Sequence, residues 1–570
     1  MKEALHVNLS RHDARLQPAL LGLLAGILTG VIIVLFRLLV ESGQTLLLPD
    51  SLVDNFEGLD WVPRLLLPIF SGLLIGTLFT LIAKGRYVVG IIHVMERLGY
   101  FQGKMEVRGL LLQFLGGALA LLGGHSVGRE GPSVHMGAAT SSLLGQRMRV
   151  PNNTLRILIA CGSAAAISAS FNTPLAGVIF SMEVVMMEYT ISSFLPVILA
   201  SVSAVSVSIS VFGDAPIFSI PPFSLDSLLE LPTVAVLGLF AGIISTLLIK
   251  LLNVTAQRAQ TWPYLLKTTL AGLIIGLCAV TFPQVMGVGY DSVNEALLSE
   301  LGLLTLLGIL TFKLIATTAA VGLGIPGGII GPTLFIGAML GSAIGYINIF
   351  TFPEYASDAG VYALLGMGAM MAATLQAPLA ALTAILELTS NPTIVFPGML
   401  AIVIAELTRS ELFHQPSIFR ALLIARGLDY STNPLTQSLQ RIGVASVMSR
   451  KYSVTPAVIS TEQAKILLAK APQTLLIEDN EIPAIAMPAI DLLRYLEESE
   501  EKDEEIDLNE IPANRHPIKG IHQRATLSEA EELIRKYDLD MLYVYDTPAP
   551  SFERIKGILD KSAIESAYRV

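Results

Sequence analysis

The chain has 570 residues, 52% of them hydrophobic and only 15% charged, against roughly 25% charged in an average soluble domain, and its mean hydropathy is +0.63. This excludes a disordered chain and an ordinary soluble enzyme: a water-facing globule cannot hide so much apolar surface, so lipid must be the solvent for most of it. A net charge of −10 gives no electrostatic case for a nucleic-acid partner, and Cys161 and Cys278, both in apolar runs, read as buried thiols.

In chain order, residues 1–15 carry Lys2, Arg11 and Arg15, which places the N-terminus on the cytoplasmic side by the positive-inside rule. The apolar run Pro18–Val40 is read as a first span, not as a removed signal peptide. Further runs follow at Leu65–Ile82, Leu110–Leu122, Val234–Leu252, Leu266–Val280, Leu303–Val321 and Val395–Ile404. Several fall short of the roughly 20 residues of a straight crossing. Gly and Pro interrupt them, so half-helices lining a pathway are expected. The chain also repeats itself. Gly131-Pro132-Ser133 with Gly137-Ala138 returns as Gly331-Pro332-Thr333 with Gly337-Ala338, an offset of 200. Pro174-Leu175-Ala176 with Glu183 returns as Pro378-Leu379-Ala380 with Glu387, an offset of 204 that Gly162 and Gly366 share. Two halves, about 16–215 and 228–430, are therefore expected within a membrane domain at 16–430. The fold class is an all-α polytopic membrane domain of two inverted repeats with broken helices, followed by a small α/β domain. Inverted repeats place a transport site at their interface.

The sharpest local signal is Gly128-Arg129-Glu130-Gly131-Pro132, an arginine and a glutamate inside an apolar surround. Charges at membrane depth mark function by default. Pro132 suits a first helical turn, and a helix starting here turns free N–H groups and a positive dipole end inward, which favours an anion. The segment Gly324-Ile325-Pro326-Gly327-Gly328-Ile329-Ile330-Gly331-Pro332 makes a second such start. His93, His125 and His135 cluster near these motifs without metal-ligand spacing; a packing role is the plainer reading, a pH-sensing one the alternative. No nucleophile–base or metal constellation is found in the spans, so an enzyme is not expected.

These motifs, with Glu387-Leu388-Thr389 and the two-half layout, resemble the CLC family of chloride channels and proton/chloride antiporters over roughly 20–430. The resemblance implies a homodimer in the lipid bilayer with a pathway for a small inorganic anion in each subunit. It names Glu130 as the gate, a carboxylate that sits in the anion's place until it is protonated or displaced. The residues expected around the ion are Val89, Gly90, Arg129, Gly131, Gly328, Ile329, Ile330, Gly331 and Phe419. Two depart from the family: Val89 stands where a serine hydroxyl is usual, and Phe419 where a tyrosine is. Each missing hydroxyl removes a net ~0.5–1.5 kcal/mol, so strong chloride selectivity is not expected and bicarbonate becomes an alternative cargo. Antiporters of the family carry an internal glutamate where this chain has Val184. Uncoupled, channel-like conduction is therefore expected, the alternative being proton coupling through Glu188, one turn further on, or through water. Glu183 is expected to be structural.

After Ser438 the composition turns polar. Residues 431–570 resemble a pair of CBS modules, about 441–498 and 511–570, separated by an acidic stretch at 497–510 read as a solvated loop. Such pairs often bind adenine nucleotides, but Asp560 and Ala563 occupy the positions of the ribose-binding hydroxyl and aspartate, so adenine-nucleotide regulation is the weaker expectation and a dimerising or gating role the stronger. The whole reads as a multi-pass protein of a bacterial inner membrane with both termini cytoplasmic.

Overall fold

Backbone polar groups in lipid must be satisfied within the segment, so apolar runs become helices. The computed structural model describes residues 9–10, 16–86, 88–214, 218, 225, 227–428, 434–479, 482–498, 505–549 and 552–567. Lys2, Arg11 and Arg15, the basis for placing the N-terminus, lie outside them. The chain divides into two compact units: residues 18–147 with 156–430, and residues 1–17, 148–155 and 431–570.

The larger unit is helical. In chain order come α1 (Leu16–Leu47), α2 (Trp61–Ala83), α3 (Gly90–Tyr100), α4 (Val107–Leu122), α5 (Glu130–Met148), α6 (Asn152–Phe171), α7 (Pro174–Phe180), which runs into a π-helical turn at Ser181–Met186, and α8 (Ile191–Phe212). The second series is α9 (Leu231–Arg258), α10 (Tyr264–Thr281), α11 (Tyr290–Leu297), α12 (Leu303–Gly322), α13 (Ile330–Thr351), α14 (Ala359–Leu375), α15 (Pro378–Thr389), α16 (Val395–Leu407) and α17 (Ile418–Ala425). Among the described residues, 9 helical segments are long and apolar enough to cross a membrane. Three of them, Asn152–Phe171, Ser193–Phe212 and Ile330–Thr351, were not among the expected runs. The most apolar window of the first is 94% buried and that of the third 78%. Interior helices meet protein rather than lipid, so Ala, Ser and Gly serve them and dilute the hydropathic signal.

The repeat is visible in the packing. A Cβ on Gly137 would lie 2.2 Å from the Gly162 carbonyl oxygen, and one on Gly337 would lie 2.3 Å from that of Gly366. The α5–α6 crossing of the first half thus recurs as α13–α14, with glycine at both contact points for the same reason: only a bare Cα admits the other backbone.

In the smaller unit, α18 (Pro434–Gln440) precedes two β-β-α-β-β-α series: β1 (Tyr452–Pro456), β2 (Val458–Ser460), α19 (Thr461–Ala469), β3 (Thr474–Asp479), β4 (Ile482–Pro488) and α20 (Ala489–Glu498), then β5 (Glu505–Asp507), β6 (His516–His522), α21 (Leu527–Tyr537), β7 (Met541–Ala549), β8 (Phe552–Asp560) and α22 (Lys561–Ala567). A six-stranded sheet of order β1-β3-β4-β6-β7-β8 joins the modules. In each, one parallel pair (β1/β3, β6/β7) is followed by an antiparallel one (β3/β4, β7/β8). Capping boxes at Ser460/Gln463 and Thr526/Glu529 start α19 and α21. The acidic stretch is not wholly a loop. Residues 499–504 lie outside the described residues, but β5 pairs with β2, and Ile506, Leu508 and Ile511 are buried in the core of the first module. These apolar residues are spaced among the acids, so one face enters the core while the charges stay wet.

Candidate functional site

The two motif loops meet. The Gly128 N–H donates to the Gly328 carbonyl (2.8 Å), and the Gly328 N–H to the Gly128 carbonyl (2.7 Å). This reciprocal antiparallel bridge is a local two-fold between the halves. The approach needs glycine, because a Cβ on Gly131 would fall 2.6 Å from the Gly328 Cα. The bridge sets the starts of α5 and α13 side by side.

Glu130, fully buried, is the first residue of α5, and its carboxylate reaches the other tip. Oε2 accepts from the Gly331 N–H at 3.2 Å, and Oε1 accepts from the Tyr290 hydroxyl at 3.3 Å. An acid carrying negative charge at a helix N-terminus is in a favourable field. Arg129, next in sequence, turns elsewhere. Its Nη2 donates to the Ser170 carbonyl at 2.7 Å, and its guanidinium lies 5.2 Å from the Tyr290 ring centroid. With Arg37, Glu41, Ser170 and Tyr290 it lines a cavity of about 390 Å³. The Arg129 guanidinium is thus engaged at Ser170 and on the wall of this cavity.

Other expected ligands separate into free and engaged. Val89, fully buried, is the N-cap of α3 and makes no side-chain cap. The Gly90 N–H, expected to face an ion, donates to Gln113 Oε1 at 2.7 Å, and the Gln113 amide donates in turn to the Pro326 carbonyl at 3.2 Å. The Gly328 N–H is used by the bridge. Both N–H groups are thus engaged by partners within the protein. Ile329 is the N-cap of α13, and Ile330 lines a small apolar cavity with Phe171, Ala176 and Leu388. Phe419 is buried in the first turn of α17. Gln113 and Tyr290 escaped the sequence reading.

The paired glutamates cross between halves. Glu183 accepts from the N–H groups of Leu379 (3.3 Å) and Ala380 (2.8 Å), the start of α15. Glu387 accepts from those of Leu175 (2.8 Å) and Ala176 (2.7 Å), the start of α7. Each proline-led helix is capped by the carboxylate of the other half, and both acids sit where orphan donors need them. Val184 is buried in the π-helical turn. That turn ends at Met186, and Met187 adopts the left-handed conformation, so Glu188 lies past the helix end and not one turn along it.

His93 and His135 face each other, Nδ1 to Nε2 at 2.9 Å. Arg97 Nε donates to His93 Nε2 at 3.0 Å, which makes His93 Nδ1 the donor of the pair. His125 is fully buried. Among the described residues, no group of three or more His, Cys, Asp or Glu could hold a metal ion. In the smaller unit, Asp560 Oδ1 accepts from the Ala563 N–H (2.6 Å) and the Ser562 hydroxyl (2.8 Å), so it caps α22.

Residues 69–410 match the voltage gated chloride channel family. The chain is 32% identical over 381 residues to the voltage-gated ClC-type chloride channel ClcB of Escherichia coli, covering 65% of this chain and 89% of that one. It is 29% identical over 437 residues to the H(+)/Cl(-) exchange transporter ClcA of Vibrio cholerae, covering 74% and 93%. The structure resembles that of a slow cyanobacterial Cl-/H+ antiporter, with a TM-score of 0.63 and 25% identity over 72% of this chain and 97% of the other.

Proposed function

Because the chain belongs to the voltage gated chloride channel family, whose members move anions across membranes, we propose that it conducts a small inorganic anion past Glu130 without coupling to protons. One observation carries the gate: the Glu130 carboxylate accepts from the Gly331 N–H at the tip of α13, the kind of donor a permeant anion would use. A carboxylate there competes with the ion for its seat. Protonation or displacement clears the seat. Val184 carries the uncoupled reading, since a valine side chain in the π-helical turn cannot relay a proton.

The ion's partners in this reading are the main-chain amides of Gly131 and of the Ile329–Gly331 turn, with Val89 and Phe419 as apolar walls in place of hydroxyls. Their absence favours larger, more weakly hydrated anions over strict chloride selectivity. The working unit is a homodimer in a bacterial inner membrane with both termini cytoplasmic, and residues 431–570 act as a CBS pair that dimerises or modulates the pore. The likeness to the Vibrio cholerae exchange transporter favours a second reading, proton-coupled exchange in which Glu188 or a water chain replaces the missing glutamate.

The test is a proteoliposome assay that records anion and proton movement together, with several anions at two pH values. Anion flux without uphill proton movement supports conduction. Uphill proton uptake driven by an anion gradient, lost in Glu188→Gln, would install the exchange reading instead.

A further inference from the structure

Tyr290 belongs to no motif that the sequence presents, yet among the described residues its hydroxyl is the side-chain group that donates to the Glu130 carboxylate. The ring is gripped from two sides. The Arg129 guanidinium lies over it at 5.2 Å, and Phe218 meets it edge-on at 5.4 Å and 87°.

The preceding loop is also pinned. Lys313, fully buried in α12, donates to the carbonyls of Val285 (3.2 Å) and Gly287 (3.1 Å) with its ammonium 4.3 Å from the Phe335 ring centroid. The Gly287 N–H donates to the Gly124 carbonyl at 3.1 Å, and the Gly289 N–H to Asp54 Oδ2 at 2.8 Å. Gly287 and Gly289 hold φ of 57° and 76°, which only glycine adopts without strain. A lysine spent on two loop carbonyls, in a helix otherwise facing lipid and protein, is costly to keep. What it fixes is the place where α11 begins, and Tyr290 is the first residue of α11.

We propose that Tyr290 is a positioning residue of the gate: its hydroxyl holds the Glu130 carboxylate in the seat at the tip of α13, and the Lys313–Asp54 brace sets the reach of that hydroxyl. The proposal rests on the reading of Glu130 as the gate. With Gly331 on Oε2 and Tyr290 on Oε1, both carboxylate oxygens are held, and each bond favours the charged, seated form. Removing one releases the acid at a lower proton concentration. The charged and titratable groups facing the pair are Arg129 ahead of α5, Arg37 and Glu41 across the cavity on α1, and Asp54 in the α1–α2 loop, with Asp291 on α11 and Lys313 on α12 acting on Asp54 behind it.

The test is anion flux against pH in proteoliposomes for wild type, Tyr290→Phe, Glu130→Gln, the double variant and Phe218→Leu. Tyr290→Phe keeps the ring and loses the donor. Its activation midpoint should move up by about one pH unit, a tenfold change in proton concentration, with a matching rise in flux near neutrality. In the Glu130→Gln background Tyr290→Phe should add nothing, and Phe218→Leu, which loosens the ring but keeps the hydroxyl, should move the midpoint by less than Tyr290→Phe does. Should Tyr290→Phe fail to fold, fluorotyrosine placed at residue 290 makes the hydroxyl a stronger donor and should move the midpoint down. An unmoved midpoint in Tyr290→Phe, or an equal shift in Phe218→Leu, overturns the positioning role while leaving the gate intact. Unchanged flux in Glu130→Gln at every pH removes the gate and the proposal with it.

Discussion

The two tips that meet at the Gly128–Gly328 bridge share a backbone and differ in side chains. Each leads with glycines, starts a helix with a Gly-Pro pair, and gives one N–H to the other's carbonyl. The first carries Arg129-Glu130; the second carries Ile329-Ile330 at the equivalent places. Symmetry therefore builds the paired tips, and its breaking sets them apart: one half supplies the acid, the other the tip whose Gly331 N–H it accepts from. A symmetric charge would place two carboxylates against each other in a dry site, where like charges cannot both stay ionised.

The most severe way to break this comparison is to remove the acid. Glu130→Gln keeps shape and loses charge. A charged hydrogen bond contributes ~1.5–3 kcal/mol, so flux near neutral pH should rise by about tenfold or more, with pH dependence weakened. Ion-selective electrode traces on vesicles read this directly, and equal flux at all pH values contradicts the gate. The complementary change, Ile330→Glu, adds a second acid on the receiving side and should silence conduction.

Next in size are the glycine crossings that repeat between halves. Gly137→Ala and Gly337→Ala each push a methyl into a carbonyl of the facing helix. Overpacking of this kind costs ~1–3 kcal/mol. The two losses in thermal stability of detergent-solubilised protein should match within error. A loss in only one half would mean that the repeat is a sequence echo without shared mechanics.

The glutamate exchange sharpens the same symmetry. Glu183→Gln and Glu387→Gln each weaken two bonds to helix-start amides, worth about 1 kcal/mol as caps. Both should lower stability alike, and neither should alter the ratio of anion to proton movement. A selective effect of Glu183→Gln on proton movement would move that acid from scaffold to pathway.

What the sequence made legible follows from rarity. Arg129 and Glu130 stand out because charge inside an apolar surround is unusual, and Pro132, Pro174, Pro332 and Pro378 stand out because each opens a helix. The shared offsets then exposed the halves. The helix α6, and the full span of α13 beyond its proline-led start, stayed hidden because buried membrane helices pack with small residues. Tyr290 was out of reach for another reason: 160 residues separate it from Glu130, and nothing local in its own segment points across that gap. The Gly90 amide looked free for the same reason, since Gln113, its acceptor, lies 23 residues on. Lys313 is legible in the same way as Arg129 and Glu130, a lone cation in the run Leu303–Val321 whose depth demands partners.

The smallest effect expected concerns the α1–α2 loop, which has no counterpart in the bridge symmetry. Burial, with the negative charge of Asp291 adding to it, pushes the Asp54 carboxyl up to about 7. The same two causes push Glu57 up to about 7. An acid whose folded value lies above its unfolded one takes up protons on folding. Its stabilisation is complete below the ordinary carboxylate range and is lost as pH rises through about 7. Wild-type protein should therefore unfold at lower temperature at pH 8 than at pH 6. Asp54→Asn keeps an oxygen for the Gly289 N–H and cannot ionise, so it should flatten that difference, raising the melting temperature at pH 8 and changing little at pH 5. A variant that melts like wild type at both pH values would show that Asp54 is ordinarily solvated, and that Lys313 holds the loop before Tyr290 without its help.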